Sequence, residues 1–225
     1  MSPDGIGLND GVLDLSPFRV GQPTLICGLG RGGTTAMARC FAVSANARVV
    51  TDDASPESTL EAHAVNRACR EGNGEWLSRF RTRTSVEYDP EFVIKSPVFE
   101  VRSRAKPGLR EAWSGANLLI MSRDPVCLSL REASLGTSGA KAGDFLIQSI
   151  QRLHTGLLSA LEMAASMGVL IVSYEKLVVV PERVAGKVNA WWGRDVLCAK
   201  RCAECIRPNN PSYIARQSRD LAKRG

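Results

Sequence analysis

Apolar positions along the chain fall into two alternating patterns. Leu25-Ile26-Cys27, Val49-Val50, Phe92-Val93-Ile94, Leu118-Leu119-Ile120-Met121 and Val169-Leu170-Ile171-Val172 are short continuous apolar runs. Runs of this length suit strands buried on both faces, as in a parallel sheet. Between them the apolar positions recur at helical spacing. Met37, Cys40 and Phe41 follow the first run; Ile150, Leu153, Leu157, Leu161 and Ala164 precede the last, and Val184, Val188 and Trp191 or Trp192 follow it. Strands alternating with helices predict an α/β fold with a central parallel sheet flanked by helices. Gly5, Gly7 and Gly11 with Asp4, Asp10 and Asp14 mark residues 1–20 as a loose arm, which leaves 21–225 as one domain. The tail after Cys205, broken by Pro208 and Pro211, is expected to wrap the surface.

Composition narrows the class. With 225 residues, 44% hydrophobic and 23% charged, the chain can build one sizeable core without metals or disulfides. The net charge of +6 comes from an arginine-rich surplus. Guanidinium groups offer a planar fork that matches phosphate and sulfate oxygens. Such a balance admits nucleic acid, an anionic membrane or a small polyanion as partner. An aromatic content of 6%, with no basic–aromatic stripe, argues against a nucleic-acid-binding module. No apolar run reaches the ~20 residues that a membrane span needs. Acidic residues precede the first basic one, Arg19, which is the wrong order for a signal peptide, so a cytoplasmic protein is expected. The seven cysteines are odd in number and mostly lie in apolar runs, so they read as reduced core residues.

The strongest chemical signal is Gly28-Leu29-Gly30-Arg31-Gly32-Gly33-Thr34-Thr35, between the first predicted strand and its helix. Its glycines let backbone amides approach an anion, and the following helix offers free N–H groups and its positive dipole end. The ATP-type loop continues with Lys and then Ser or Thr. Here Thr34 occupies the Lys position and the cation, Arg31, lies inside the loop, which weighs against a nucleoside or small-molecule kinase. A second signal is Ser122-Arg123-Asp124-Pro125 after the fourth run. Asp124 can cap the helix that Pro125 opens, which leaves Arg123 at a strand's carboxyl end, where open α/β sheets bind ligands.

At these residues the chain resembles the P-loop sulfotransferases, nearest to glycan-type and bacterial members. The loop is similar to their 5′-phosphosulfate loop, with Gly30 for the common proline and Gly32 for the common serine. Arg123-Asp124-Pro125 resembles their 3′-phosphate motif, Phe92–Pro97 their strand ending in lysine, and Val172–Leu177 with Pro181 and Trp191-Trp192-Gly193 an architectural segment. The resemblance implies a P-loop NTPase-like sulfotransferase fold and 3′-phosphoadenosine 5′-phosphosulfate (PAPS) as donor, with 3′,5′-adenosine bisphosphate as product. It implies donor binding by Gly28, Gly30, Arg31, Gly32, Gly33, Thr34, Thr35 and Arg123, completed by Ser129 or Arg131. It implies Arg31 and Lys95 as the cations at the transferring group, and Asp53, or next Glu57, as the base. His63 is the base only in the small-molecule pattern. A metal is not expected, and the acceptor is expected to be a small molecule or carbohydrate bearing a hydroxyl or amine, held by loops between Pro56 and Pro90. The alternatives are the kinase and a non-catalytic anion- or nucleic-acid-binding module. Cys198-x-x-x-Cys202-x-x-Cys205 matches an iron–sulfur spacing, but on a helix it places all three on one face, which suits packing. His154 reads as a core or edge histidine.

Overall fold

The computed structural model describes residues 11–28, 32–51, 60–99, 102, 106–128 and 142–206. In chain order these form β1 (Val12–Ser16), β2 (Thr24–Gly28), α1 (Thr34–Ser44), β3 (Val49–Val50), α2 (His63–Glu71), α3 (Gly74–Glu87), β4 (Val93–Lys95) and α4 (Pro107–Ala112). There follow β5 (Asn117–Ser122), α5 (Ala142–Met163), β6 (Gly168–Ser173), α6 (Tyr174–Val179), α7 (Pro181–Trp192) and α8 (Ala199–Ile206). The sheet order is β1-β6-β5-β2-β4-β3. Pairs from β6 through to β3 are parallel, while β1 runs antiparallel on the edge.

All five continuous apolar runs are strands, and their residues alternate between two cores. Leu25, Cys27, Ile94, Leu118, Ile120 and Val169 face a core shared with α2, α3, α4 and α5. Ile26, Val93, Leu119, Met121, Leu170 and Val172 face the other, shared with α1, α6, α7 and α8. That period-two alternation is why each run reads as wholly apolar: both faces of the pleat are covered. Among the described residues no helix is long and apolar enough to cross a membrane.

Four expectations are corrected. The arm 1–20 is not loose throughout, because Val12–Ser16 pairs with β6, Leu13 and Leu15 turn inward and Asp14 stays exposed. An outward charge on an edge strand guards it against further pairing. Asn117 then pins the connection to β2, accepting from the Arg19 amide at 2.7 Å and donating to the Arg19 and Gln22 carbonyls. Second, the stretch from Pro56 to Pro90 holds α2 and α3 rather than loops alone, since Val65, Ala68, Cys69 and Leu77 bury one face. Third, α5 is rotated from its expected register. Ile150, Leu157 and Leu161 are exposed, and Gly156, Ser159, Ala160 and Met163 face inward. His154 is exposed, not a core histidine. The tail from residue 207 lies outside the described residues.

Candidate functional site

The chain leaves β2 for β3 and β4 on one side and reaches β5 on the other, so direction reverses between β2 and β5. Open α/β sheets bind ligands in the crevice outside such a reversal, at the carboxyl ends of the strands. Gly28 ends β2 directly opposite Met121 of β5. Its φ is +145°, and a Cβ there would stand 2.5 Å from the Met121 carbonyl oxygen. Only glycine allows both the backbone angle and the approach. Gly28→Ala is therefore expected to cost about 2–4 kcal/mol, from backbone strain and overpacking against an unyielding carbonyl. Thermal denaturation should show a drop of roughly 5–15 °C. Gly186, inside α7 with open space around its Cβ position, is the control. There the same substitution should be neutral or stabilise by ~0.5–1 kcal/mol.

At the other end of the loop Gly33 sits at φ +98°, ψ 7° and opens α1 with no side-chain cap. The first-turn amides of α1 are thus not served by a capping side chain, and they face the crevice with the positive end of the helix dipole. A Cβ on Gly33 would run into the Tyr174 ring. Arg123 lies over the same ring, 4.8 Å from its centroid, with Nε 3.9 Å from Glu175 Oε1. Asp124 accepts from the Cys127 amide at 2.9 Å, the expected cap, while Arg123 packs against the first two residues of α6. Tyr174 and Glu175 therefore set the position of the crevice cation. In the family resemblance their segment is architectural; its place immediately after β6 is the local signal that marks it.

Lys95 ends β4 and is 2% exposed. Its Nζ donates to Thr35 Oγ1 at 2.8 Å and lies 3.6 Å from Glu61 Oε2. Glu61 also accepts from Asn66 Nδ2 at 3.0 Å, and Asn66 accepts from Ser96 Oγ at 3.0 Å. A buried ammonium held by one carboxylate and one hydroxyl is aimed at the head of α1 by this network. Glu61 went unnoticed in the sequence, since nothing in its local pattern marks it. Leu60 beside it has φ +53°, a strained angle for a branched side chain. Burial pushes the nearby Cys69 thiol up to about 11, so it is a packing residue and not a nucleophile.

The structure thus brings Gly28, Gly33, Thr35, Lys95 and Arg123 to one edge, on the ends of β2, α1, β4 and β5. Gly32 and Thr34 are buried in the same turn. His63 is exposed at the first position of α2. Gly30, Arg31, Asp53, Glu57, Ser129 and Arg131 lie outside the described residues. A cavity of about 450 Å³ lies along β3, but Arg48, Asp89 and Glu91 place most of it at the amino ends of the strands, away from this edge.

No family model matches the chain. No curated protein matches its sequence. Its structure is similar to the sulfotransferase domain from the olefin synthase of Synechococcus PCC 7002, with a TM-score of 0.56 and 14% identity over 88% of this chain and 83% of that one. It is also similar to the sulfotransferase STF1 from Mycobacterium tuberculosis H37Rv, with a TM-score of 0.51 and 13% identity over 82% and 76%. At such identities the likeness establishes the fold: a P-loop NTPase-like α/β arrangement, a mixed six-stranded sheet flanked by helices.

Proposed function

We propose that the chain is a sulfotransferase that moves a sulfuryl group from PAPS to a hydroxyl or amine of a small molecule or carbohydrate. The observation that carries this reading is the buried Lys95 ammonium bonded to Thr35 at the head of α1, with Arg123 on the far side of Gly28. Two cations flanking a glycine-lined helix terminus fit a donor with anionic groups at both ends. The glycines support the fit, since a side chain at Gly28 or Gly33 would collide with the Met121 carbonyl or the Tyr174 ring and distort the turn that borders the crevice.

In this reading Gly28, Gly30, Gly32, Gly33, Thr34 and Thr35 hold the 5′ side of the donor through amides and hydroxyls. Arg123 pairs with the 3′-phosphate, together with Ser129 or Arg131. The donor supplies an activated sulfuryl group; the chain supplies charge, orientation and a proton acceptor. Arg31 and Lys95 neutralise charge that grows on the bridging oxygen as its bond breaks. Glu61 and Asn66 keep Lys95 aimed. Asp53, or Glu57 four positions later in the sequence, takes the acceptor's proton. In the small-molecule pattern His63 does so.

The 3′-phosphate assignment is tested by calorimetric titration of Arg123→Ala with 3′,5′-adenosine bisphosphate and with adenosine 5′-monophosphate. Loss of a charge-assisted contact worth ~1.5–3 kcal/mol should weaken the bisphosphate roughly 10- to 150-fold. The monophosphate should change only a few-fold. Equal losses for both ligands would remove the 3′-phosphate from Arg123.

A further inference from the structure

Three sulfurs converge where α8 lies on α1. Cys40 is buried on α1, and Cys202 and Cys205 sit one turn apart on α8. The Cys40 and Cys205 sulfurs are 3.9 Å apart. Cys202 is also within reach of the Cys40 thiol, and its sulfur lies 3.9 Å from the Cys40 carbonyl oxygen and 3.9 Å from Ser44 Oγ. Cys198, just before the helix, approaches Ser44 through its backbone amide. Among the described residues no group of three His, Cys, Asp or Glu side chains is arranged to hold a metal. The close pair is therefore two thiols in contact, one buried and one half-buried.

We propose that Cys40 and Cys205 are an oxidative modification site, joined into a reversible disulfide by a low-molecular-weight disulfide such as oxidised glutathione. Cys205 is the half-buried member and reacts first. Hydrogen bonding from Cys40 and the charge of the exposed Arg39 hold its thiol below the usual range, while hydrogen bonding with Cys202, then with Cys205, and burial push Cys40 up. The Cys205 thiolate attacks one sulfur of oxidised glutathione. That S–S bond breaks, and the departing glutathione thiolate takes up a proton. Cys40 then attacks the Cys205 sulfur and passes its proton to the second departing glutathione. Two protein thiols are oxidised, and one glutathione disulfide is reduced to two thiols. The contact must shorten from 3.9 Å to a bond of about 2.05 Å.

The two residues are 165 positions apart, so the bond closes most of the chain into one loop. It fastens α8 to the helix whose first turn carries Thr35. In a reducing compartment such a bond is transient and reports oxidant, as sensing disulfides do.

The test uses the full chain in a Cys127→Ser background, because Cys127 is exposed and would take its own adduct. The folded protein is incubated with oxidised glutathione and mapped by peptide mass spectrometry without reduction. A cross-link from Cys40 to the Cys202–Cys205 peptide is expected, kept in Cys202→Ser and in Cys202→Ala, and lost in Cys205→Ser. Cys40→Ser should instead accumulate a stable glutathione adduct on Cys205. The cross-linked form should melt on the order of 10 °C higher and return to its starting value with dithiothreitol. A cross-link that both Cys202 variants abolish, or an intact Cys40 chain that carries only the adduct, would overturn the proposal.

Discussion

Lys95→Met is expected to lower turnover by about 10²–10³-fold, the effect of removing one preorganised charge from a developing negative centre. The methionine keeps the buried stem, so the core beside Ile26 and Thr35 stays filled. The donor product, which carries no transferring group, should bind within a few-fold of wild type. Stability should fall, because Glu61 then keeps Asn66 but loses the ammonium 3.6 Å away. Adding Glu61→Gln should recover that stability and leave turnover low, which separates packing from catalysis. Steady-state rates and bisphosphate titration on both variants make the check. Unchanged turnover with weakened bisphosphate binding would make Lys95 a donor-binding residue instead.

Asp53→Asn is expected to have the widest effect, ~10²–10⁴-fold in rate, the usual loss when a positioned general base is removed. Thr51, two positions before Asp53, donates its hydroxyl to the Glu61 carbonyl at 3.4 Å. The asparagine keeps size and capping ability, so folding and bisphosphate binding should stay near wild type. Glu57→Gln and His63→Ala, assayed alongside, assign the role. Full turnover in Asp53→Asn with loss in Glu57→Gln moves the base to Glu57. Loss only in His63→Ala replaces the glycan-type pattern with the small-molecule one.

The legible part of this chain was what repeats. Strands covered on both faces appear as unbroken apolar runs, so β2 through β6 were readable from Leu25, Val49, Phe92, Leu118 and Val169 onward. The glycine loop and Arg123-Asp124-Pro125 were readable because each breaks such a run at a strand's end. β1 was hidden by its own alternation: five residues with Asp14 in the middle resemble an arm, and only pairing with β6 makes them a strand. α5 misled because Ile150, Leu157 and Leu161 are exposed; Gly156, Ser159, Ala160 and Met163 face inward instead. Within the site, Lys95 was foreseen but its partners were not. Thr35, Glu61 and Tyr174 reach their places through tertiary packing, which no local spacing encodes.

The claim at the centre is that this edge of the sheet binds an adenosine bisphosphate and not a metal–triphosphate complex. A melting comparison of 3′,5′-adenosine bisphosphate with Mg-ATP tests it without knowledge of the acceptor. At ~100 times its Kd the bisphosphate should add about 2.7 kcal/mol to stability. For a domain of this size that is a rise of roughly 5–10 °C, with little shift from Mg-ATP. An equal or larger rise with Mg-ATP would contradict the account and point to phosphoryl transfer.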